Sequence, residues 1–241
     1  MLIQCRDITY TYPGAEAPVI NRLNLSLKGP GFFTFFGFSG AGKSTLAKII
    51  SGQIRPHQGE TIRESSPRIL YSHNAERIPG WHSIGEHFFS ISPANRQELL
   101  KELISSFEME EFTEKRFSML SMGQKNRANL IRYLVQDFDL LITDESLANV
   151  DEPLRNRIIR EMKEIFPSKT FIYISHNVFE IARYSKNIFV LPMDGPTRSS
   201  IHEIKGLDEK DAVFTGPELL QQKVYEIINI TTRGQMPIEN N

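Results

Sequence analysis

From Leu2 to Leu27 apolar and polar positions alternate, and the turn signal Tyr12-Pro13-Gly14 interrupts them. A period of two broken by turns predicts antiparallel strands and hairpins. Phe32-Phe33-Thr34-Phe35-Phe36 is short, aromatic and stopped by Gly37, the pattern of a buried strand. The period then changes. Leu46, Ile49 and Ile50 recur at helical spacing between Lys43 and Ser51, and Gly52 supplies the stop. Ile69 to Ser72 predicts another strand, after which Asn74 to Gln136 turns helical. Within that stretch Ser92-Pro93 reads as an N-cap followed by a first-turn proline, and Leu99, Leu100, Leu103, Ile104 and Phe107 mark a helix over Gln97 to Phe107. Leu140 to Thr143 and Thr170 to Ile174 have sheet character, with a helix from Pro153 to Phe166 between them.

Strands alternating with helices predict an α/β fold with a mostly parallel sheet covered by helices. The expected division is a single unit with a core over 1–75 and 137–205 and an antiparallel β part at its start. A helical insertion occupies 76–136 and an extension occupies 206–241. No internal repeat is present. The extension is polar apart from one amphipathic piece (Leu219, Leu220, Val224, Ile227, Ile228), and Gly234 to Asn241 is expected to be disordered.

Composition narrows the function classes. The chain has 241 residues, 40% hydrophobic and 24% charged, which suits a soluble globular protein. A net charge of −1 gives no general attraction to nucleic acid or to an anionic membrane, so no nucleic-acid partner is expected. A lone Cys5 leaves no internal disulfide and suits a reducing compartment. No apolar run approaches the roughly 18–20 residues of a membrane span, and the start lacks the basic-then-apolar pattern of a signal peptide. The expectation is a cytoplasmic chain; any membrane part of its work belongs to another polypeptide.

The chemistry sits in short segments. Gly37-Phe38-Ser39-Gly40-Ala41-Gly42-Lys43-Ser44-Thr45 matches the phosphate-loop pattern G-x-x-x-x-G-K-[ST], with an apolar strand before it and a helix after. Glycines let backbone N–H groups wrap phosphates, and the helix points its positive end at them. Lys43 adds a full charge toward the β and γ phosphates, and the Ser44 hydroxyl is a ligand for Mg²⁺. A chance glycine-rich turn is the bland alternative, and the strand and helix around it argue against that.

Leu140-Leu141-Ile142-Thr143-Asp144-Glu145 ends a strand in two acids at the sheet edge where open α/β folds bind ligands. Asp144 is placed to hold Mg²⁺ through water, and Glu145 to act as general base on the attacking water. Acids at a helix start also serve the helix dipole; downstream of a phosphate loop the chemical reading is the stronger one. Leu120-Ser121-Met122-Gly123-Gln124 precedes a helical run through Leu130, Ile131, Leu134 and Val135, so Ser121 reads as a helix N-cap as well as part of an anion site.

These segments, together with Asp151 and Ser175-His176, occur in the order and spacing of the ATP-binding cassette ATPases, which the chain resembles from about Ile3 to Leu191. The resemblance implies a P-loop NTPase, RecA-like core that binds and hydrolyses ATP with Mg²⁺. It implies a homodimer or paired cassette in which Ser121 and Gly123 touch the γ-phosphate held by the other subunit. His176 corresponds to the family's switch histidine, Asp151 to the loop coupling the two sites, and Tyr12 to the aromatic ring stacked on adenine. Asn74 aligns with the family glutamine that reaches Mg²⁺ and water, one methylene shorter. Met122, Thr143 and Ser146 depart from the family pattern. The remaining histidines (His57, His73, His82, His87, His202) show no metal-site spacing and read as surface residues.

Three segments resemble ATPases of nitrate-, sulfonate- and taurine-type importers: Arg77-Ile78-Pro79-Gly80-Trp81-His82-Ser83-Ile84, Asp144 to Asp151, and Leu191-Pro192-Met193-Asp194-Gly195-Pro196-Thr197. That likeness implies an integral membrane permease subunit and a substrate-binding protein as partners, with the chain peripheral on the inner face of the membrane. Trp81, Ile84, Phe88 and Phe89 supply the apolar side chains for a permease contact, with some of the four required in the core. The alternative is a soluble cassette ATPase serving assembly on a non-membrane scaffold, which would share every catalytic motif. A degenerate, non-hydrolysing cassette is disfavoured by intact Lys43, Asp144, Glu145 and His176.

Overall fold

A computed structural model of the chain describes residues 1–74, 76–78, 80–191, 201–210 and 216–233. The alternating first stretch forms β1 (Leu2–Tyr10) and β2 (Ile20–Lys28), which pair antiparallel. β3 (Gly31–Phe36) leads through the glycine loop into α1 (Lys43–Ser51), closed by Gly52 in the left-handed region. β4 (Gln58–Arg63) then returns to the free side of β1, giving a three-stranded sheet of order β2-β1-β4.

The larger sheet takes β5 (Ile69–His73), β6 (Leu140–Asp144), β7 (Thr170–Ile174), β8 (Asn187–Val190) and β9 (His202–Lys205) around β3, in the order β5-β6-β7-β3-β8-β9. All its pairings are parallel except β8 with β9. The helices after β5 are α2 (Ile84–Ile91), α3 (Gln97–Ser106) and α4 (Met122–Leu134); α5 (Glu152–Ile165), α6 (Val178–Tyr184) and α7 (Pro217–Arg233) follow later.

Period-two alternation divides the large sheet into two packed faces. Phe33, Phe35, Leu140, Ile142, Ile172 and Ile174 join α1 and the small sheet in one core. Phe32, Leu141, Phe171, Tyr173 and Ile188 join the helices α2 to α7 in the other. Burial of both faces explains why these strands read as continuous apolar runs. Strand register fixes the site. His73 pairs with Asp144, Asp144 with Ile174, and Phe35 with Ile174, so β5, β6, β7 and β3 end level at one edge.

Several expectations need correction. Ser92 is not a helix N-cap: it closes α2, its N–H donating to the Phe88 carbonyl, and α3 is led in by a 3₁₀ turn over Ala94–Arg96. The cap in this region is Ser83, whose hydroxyl accepts from the Glu86 N–H while the Glu86 carboxylate accepts from the Ser83 N–H. Ile84 and Phe88 are buried core residues, not docking side chains, whereas Trp81 is 73% and Phe89 68% exposed. His87 is half-buried, and burial followed by the Arg132 charge holds its ring below the usual histidine range. In the amphipathic piece Leu220, Val224 and Ile227 are buried on α7, which packs on α6. The strand-to-hairpin resemblance beyond Leu191 and the Gly234–Asn241 tail lie outside the described residues.

Adjacent phenylalanines provide a direct check. Phe88→Ala should lower unfolding stability by about 3–5 kcal/mol, the usual cost of emptying a buried phenylalanine site. Phe89→Ala should change it by no more than about 0.5 kcal/mol, as at ordinary surface positions. Urea unfolding of both variants measures the difference, and equal losses would contradict this assignment of faces.

Candidate active site

The glycine loop leaves the level edge at Gly37, whose φ is 144°. A β-carbon there would lie 2.8 Å from the Leu191 carbonyl oxygen, so only glycine fits. Gly42 is the N-cap of α1, left-handed at φ 92° and without a side-chain cap. The first-turn N–H groups of α1 therefore lack the side-chain acceptor that usually serves them, and a helix start of this kind suits a phosphate anion. Lys43 is buried, its Nζ donating to the carbonyls of Gly37 and Phe38 at 2.8 Å each. Burial lowers its pKa, and the nearby carboxylates of Glu145 and Asp144 oppose that shift.

Ser44 is exposed at the first turn of α1, while Thr45 is buried and its Oγ1 lies 2.9 Å from the Tyr12 hydroxyl. That contact brings Tyr12, from the loop after β1, onto the phosphate-loop helix. Tyr12 remains 41% exposed and meets Tyr10 edge-on.

Asp144 ends β6 and is buried; Tyr71 donates its hydroxyl to Asp144 Oδ2 at 2.6 Å. Burial, the hydrogen bond and the Asp144 charge push the Tyr71 pKa up. The backbone turns sharply at Glu145, a non-glycine residue at φ 55° whose N–H donates to the Ile174 carbonyl. Strained positions of this kind concentrate at functional sites. The turn delivers Glu145 Oε1 to 2.7 Å from His176 Nε2, with both side chains partly solvent-facing. Beside them lies a cavity of about 260 Å³ lined by Glu145, Leu147, Arg155, Tyr173, His176 and Asn177.

A second group surrounds the loop after β5. Asn74 accepts at Oδ1 from the Asn149 amide at 3.3 Å. A β-carbon on Gly123 would strike the Asn149 carbonyl oxygen, so Gly123 packs directly on that loop. Ser121 caps α4, its hydroxyl accepting from the Gln124 N–H and its own N–H donating to the Gln124 side chain. The N-cap reading thus holds, and Gln124 completes the capping box. Met122 is half exposed beside them. Asp151 caps α5 through the Leu154 N–H at 3.1 Å. The departures Thr143 and Ser146 are both buried, and Ser146 Oγ lies 3.1 Å from Ser72 Oγ.

Sequence reading missed Tyr71 and Glu76. Glu76 accepts from the His73 N–H at 2.8 Å, from the Tyr133 hydroxyl at 2.6 Å and from Arg132, while its carbonyl accepts from Asn129. It ties the loop after β5 to α4. Its only sequence signal was an acid two residues past Asn74. Among the described residues no three His, Cys, Asp or Glu side chains cluster as a metal site. The Ser44 hydroxyl on the glycine-loop helix and the Asp144 carboxylate at the end of β6 are hard oxygen donors, the type suited to a cation that keeps most of its waters.

Comparison with known proteins agrees with this geometry. Residues 20–148, more than half of the chain, match the family model described as ABC transporter. An uncharacterized ABC transporter ATP-binding protein of Haemophilus influenzae is 29% identical over 198 residues, covering 79% of this chain and 82% of that one. The taurine import ATP-binding protein TauB of Pseudomonas putida is 26% identical, with 79% and 78% covered. Among solved structures, a dimeric post-hydrolysis state of the ATP-binding cassette MJ0796 bound to ADP and Pi shares the fold. Its TM-score is 0.72 at 21% identity, over 84% of this chain and 98% of that one. With its phosphate loop and acid pair at one sheet edge, the chain belongs to the ABC transporter family, as an ATP-binding, ATP-hydrolysing subunit.

Proposed function

We propose that the chain binds Mg²⁺-ATP between two cassettes and uses its hydrolysis to drive import through a separate membrane permease. The observation that carries the chemistry is the meeting of Glu145 and His176 at 2.7 Å, beside the edge where Asp144 ends β6 and where β3 leads through the glycine loop to Lys43. Lys43 and the uncapped α1 N-terminus attract the β and γ phosphates, with Gly37, Phe38, Ser39, Gly40, Ala41, Gly42 and Thr45 forming the cradle. Tyr12 stacks on adenine. Ser44, Asp144 and Asn74 would hold Mg²⁺, which when bound would neutralise phosphate charge.

Glu145 accepts a proton from the attacking water as its oxygen bonds to the γ-phosphorus and the bond to the β,γ-bridging oxygen breaks, giving ADP and phosphate. His176 orients Glu145 and donates toward the γ-phosphate. Ser121 and Gly123 of a second cassette close the site from the far side, and Gln124 supports them by completing the Ser121 cap. This assigns the phosphate chemistry to residues 1–75 and 137–205, the partner contact to 76–136, and leaves 206–241 as an extension.

Import is supported by relatives whose names state it, the taurine import proteins and a spermidine/putrescine import protein of Pseudomonas aeruginosa. The same likeness favours the transporter reading over a soluble assembly ATPase. Among the described residues no helix is long and apolar enough to cross a membrane. On this reading, which the import relatives support, transport draws on an integral permease, with a substrate-binding protein in the complex and the cassette peripheral on the inner face of the cell membrane. Exposed Trp81 and Phe89 border the segment after Asn74 and provide the apolar contact.

Three outcomes follow. Glu145→Gln should lower kcat at least about 100-fold, the lower end for loss of a general base. It should keep ATP affinity and accumulate as a dimer in size-exclusion chromatography; a monomer at saturating ATP would count against the sandwich. The Trp81→Ala, Phe89→Ala double variant should wash off membrane vesicles that retain the wild type, at unchanged basal hydrolysis, and equal retention would move the permease contact elsewhere. Asn74→Gln should raise basal hydrolysis and Asn74→Ala lower it, each by up to about tenfold for one hydrogen bond. A flat response would transfer the role to His73, which also ends β5.

A further inference from the structure

We propose that Tyr71 is a positioning residue for Asp144, fixing which carboxylate oxygen is presented to the divalent cation. The inference rests on the reading of Asp144 as the acid on the metal side. Tyr71 lies in β5 opposite Ile142 of β6, two residues before the level strand ends. Its hydroxyl donates to Asp144 Oδ2 at 2.6 Å, and each residue is only 7% exposed. A polar group this deep needs hydrogen-bond partners. The phenol supplies one to Oδ2, and on this proposal Oδ1 is the oxygen left for the cation.

Geometry favours a fixed orientation over a tolerated core tyrosine. The carboxylate is held at two points, by the β6 backbone through its register with β5 and β7 and by the phenol through Oδ2. Rotation of the carboxylate about its own axis would break the hydrogen bond inside a packed core. Hydrogen bonds to metal-side carboxylates are worth roughly 10–100-fold in metal affinity or activity. A tyrosine that merely fills space and finds any partner for its hydroxyl would affect stability and leave metal affinity alone.

Tyr71→Phe separates the two, since it removes one oxygen and keeps the ring. Binding of Mn²⁺, read by electron paramagnetic resonance, is measured on the full chain saturated with a non-hydrolysable ATP analogue, and thermal unfolding is followed in parallel. We expect Mn²⁺ affinity to fall roughly tenfold, binding of metal-free ATP to stay at the wild-type level, and the loss of hydrolysis to recover as Mg²⁺ is raised. Metal affinity within about twofold of wild type, with only Tm lowered, would overturn the proposal. Asp144→Asn serves as the control. If it leaves Mn²⁺ affinity unchanged, the reading of Asp144 itself has failed; if it abolishes binding while Tyr71→Phe does nothing, only the role of Tyr71 has.

Discussion

The rest of the structure depends on four parallel strands finishing at the same level. The pairings His73 with Asp144, Asp144 with Ile174 and Ile174 with Phe35 set this. Each following loop starts from one line and carries one component: Asn74 after β5, Glu145 after β6, His176 after β7 and the phosphate loop after β3. A slip of one residue in any pairing would turn its side chains to the opposite face. Both faces are buried in separate apolar cores, so such a slip is opposed along the whole strand. The site inherits its precision from packing distant from it.

On that edge, charge is arranged by burial. Lys43 and Asp144 are both nearly excluded from water, and each is held by specific partners: two loop carbonyls for the ammonium, a phenol for the carboxylate. Glu145 and His176 stay partly open to solvent, in contact with each other at 2.7 Å. A second chain of contacts runs from Asn74 to Asn149 to Gly123, and Glu76 fastens the same loop to α4. The loop after β5, the loop after the acid pair and α4 are thereby in physical contact within one subunit.

Much of this was legible in the sequence, for identifiable reasons. α1 and β7 have the bounds their periodicity predicts, because a helix stopped by Gly52 and a β-branched run leave little freedom. The glycine loop was legible because its chemistry permits few alternatives. β4, Gln-Gly-Glu-Thr-Ile-Arg, was not seen: it is a polar edge strand whose identity comes from pairing with β1. The Ser83 cap was passed over for Ser92, since Ser-Pro is the louder local signal and only tertiary packing shows which serine starts a helix. Phe88 and Phe89 are chemically identical, and the helical phase that buries one of them is set by Ser83. Tyr71 and Glu76 were invisible because their partners lie 73 and 56 or 57 residues away.

The central claim is that one nucleotide is held by Lys43 of one cassette and Ser121 of another. Complementation between two defective chains, both carrying Glu145→Gln to prevent turnover, tests it most directly. One adds Lys43→Ala; the other adds Ser121→Glu, whose carboxylate repels phosphate. Neither chain alone should dimerise when ATP is added. Their mixture should form a heterodimer with one nucleotide per two chains, because one of its two sites pairs an intact Lys43 with an intact Ser121. Light scattering with nucleotide quantitation reads both quantities. A mixture that remains monomeric, or a Ser121→Glu chain that dimerises with ATP unaided, would contradict the shared site.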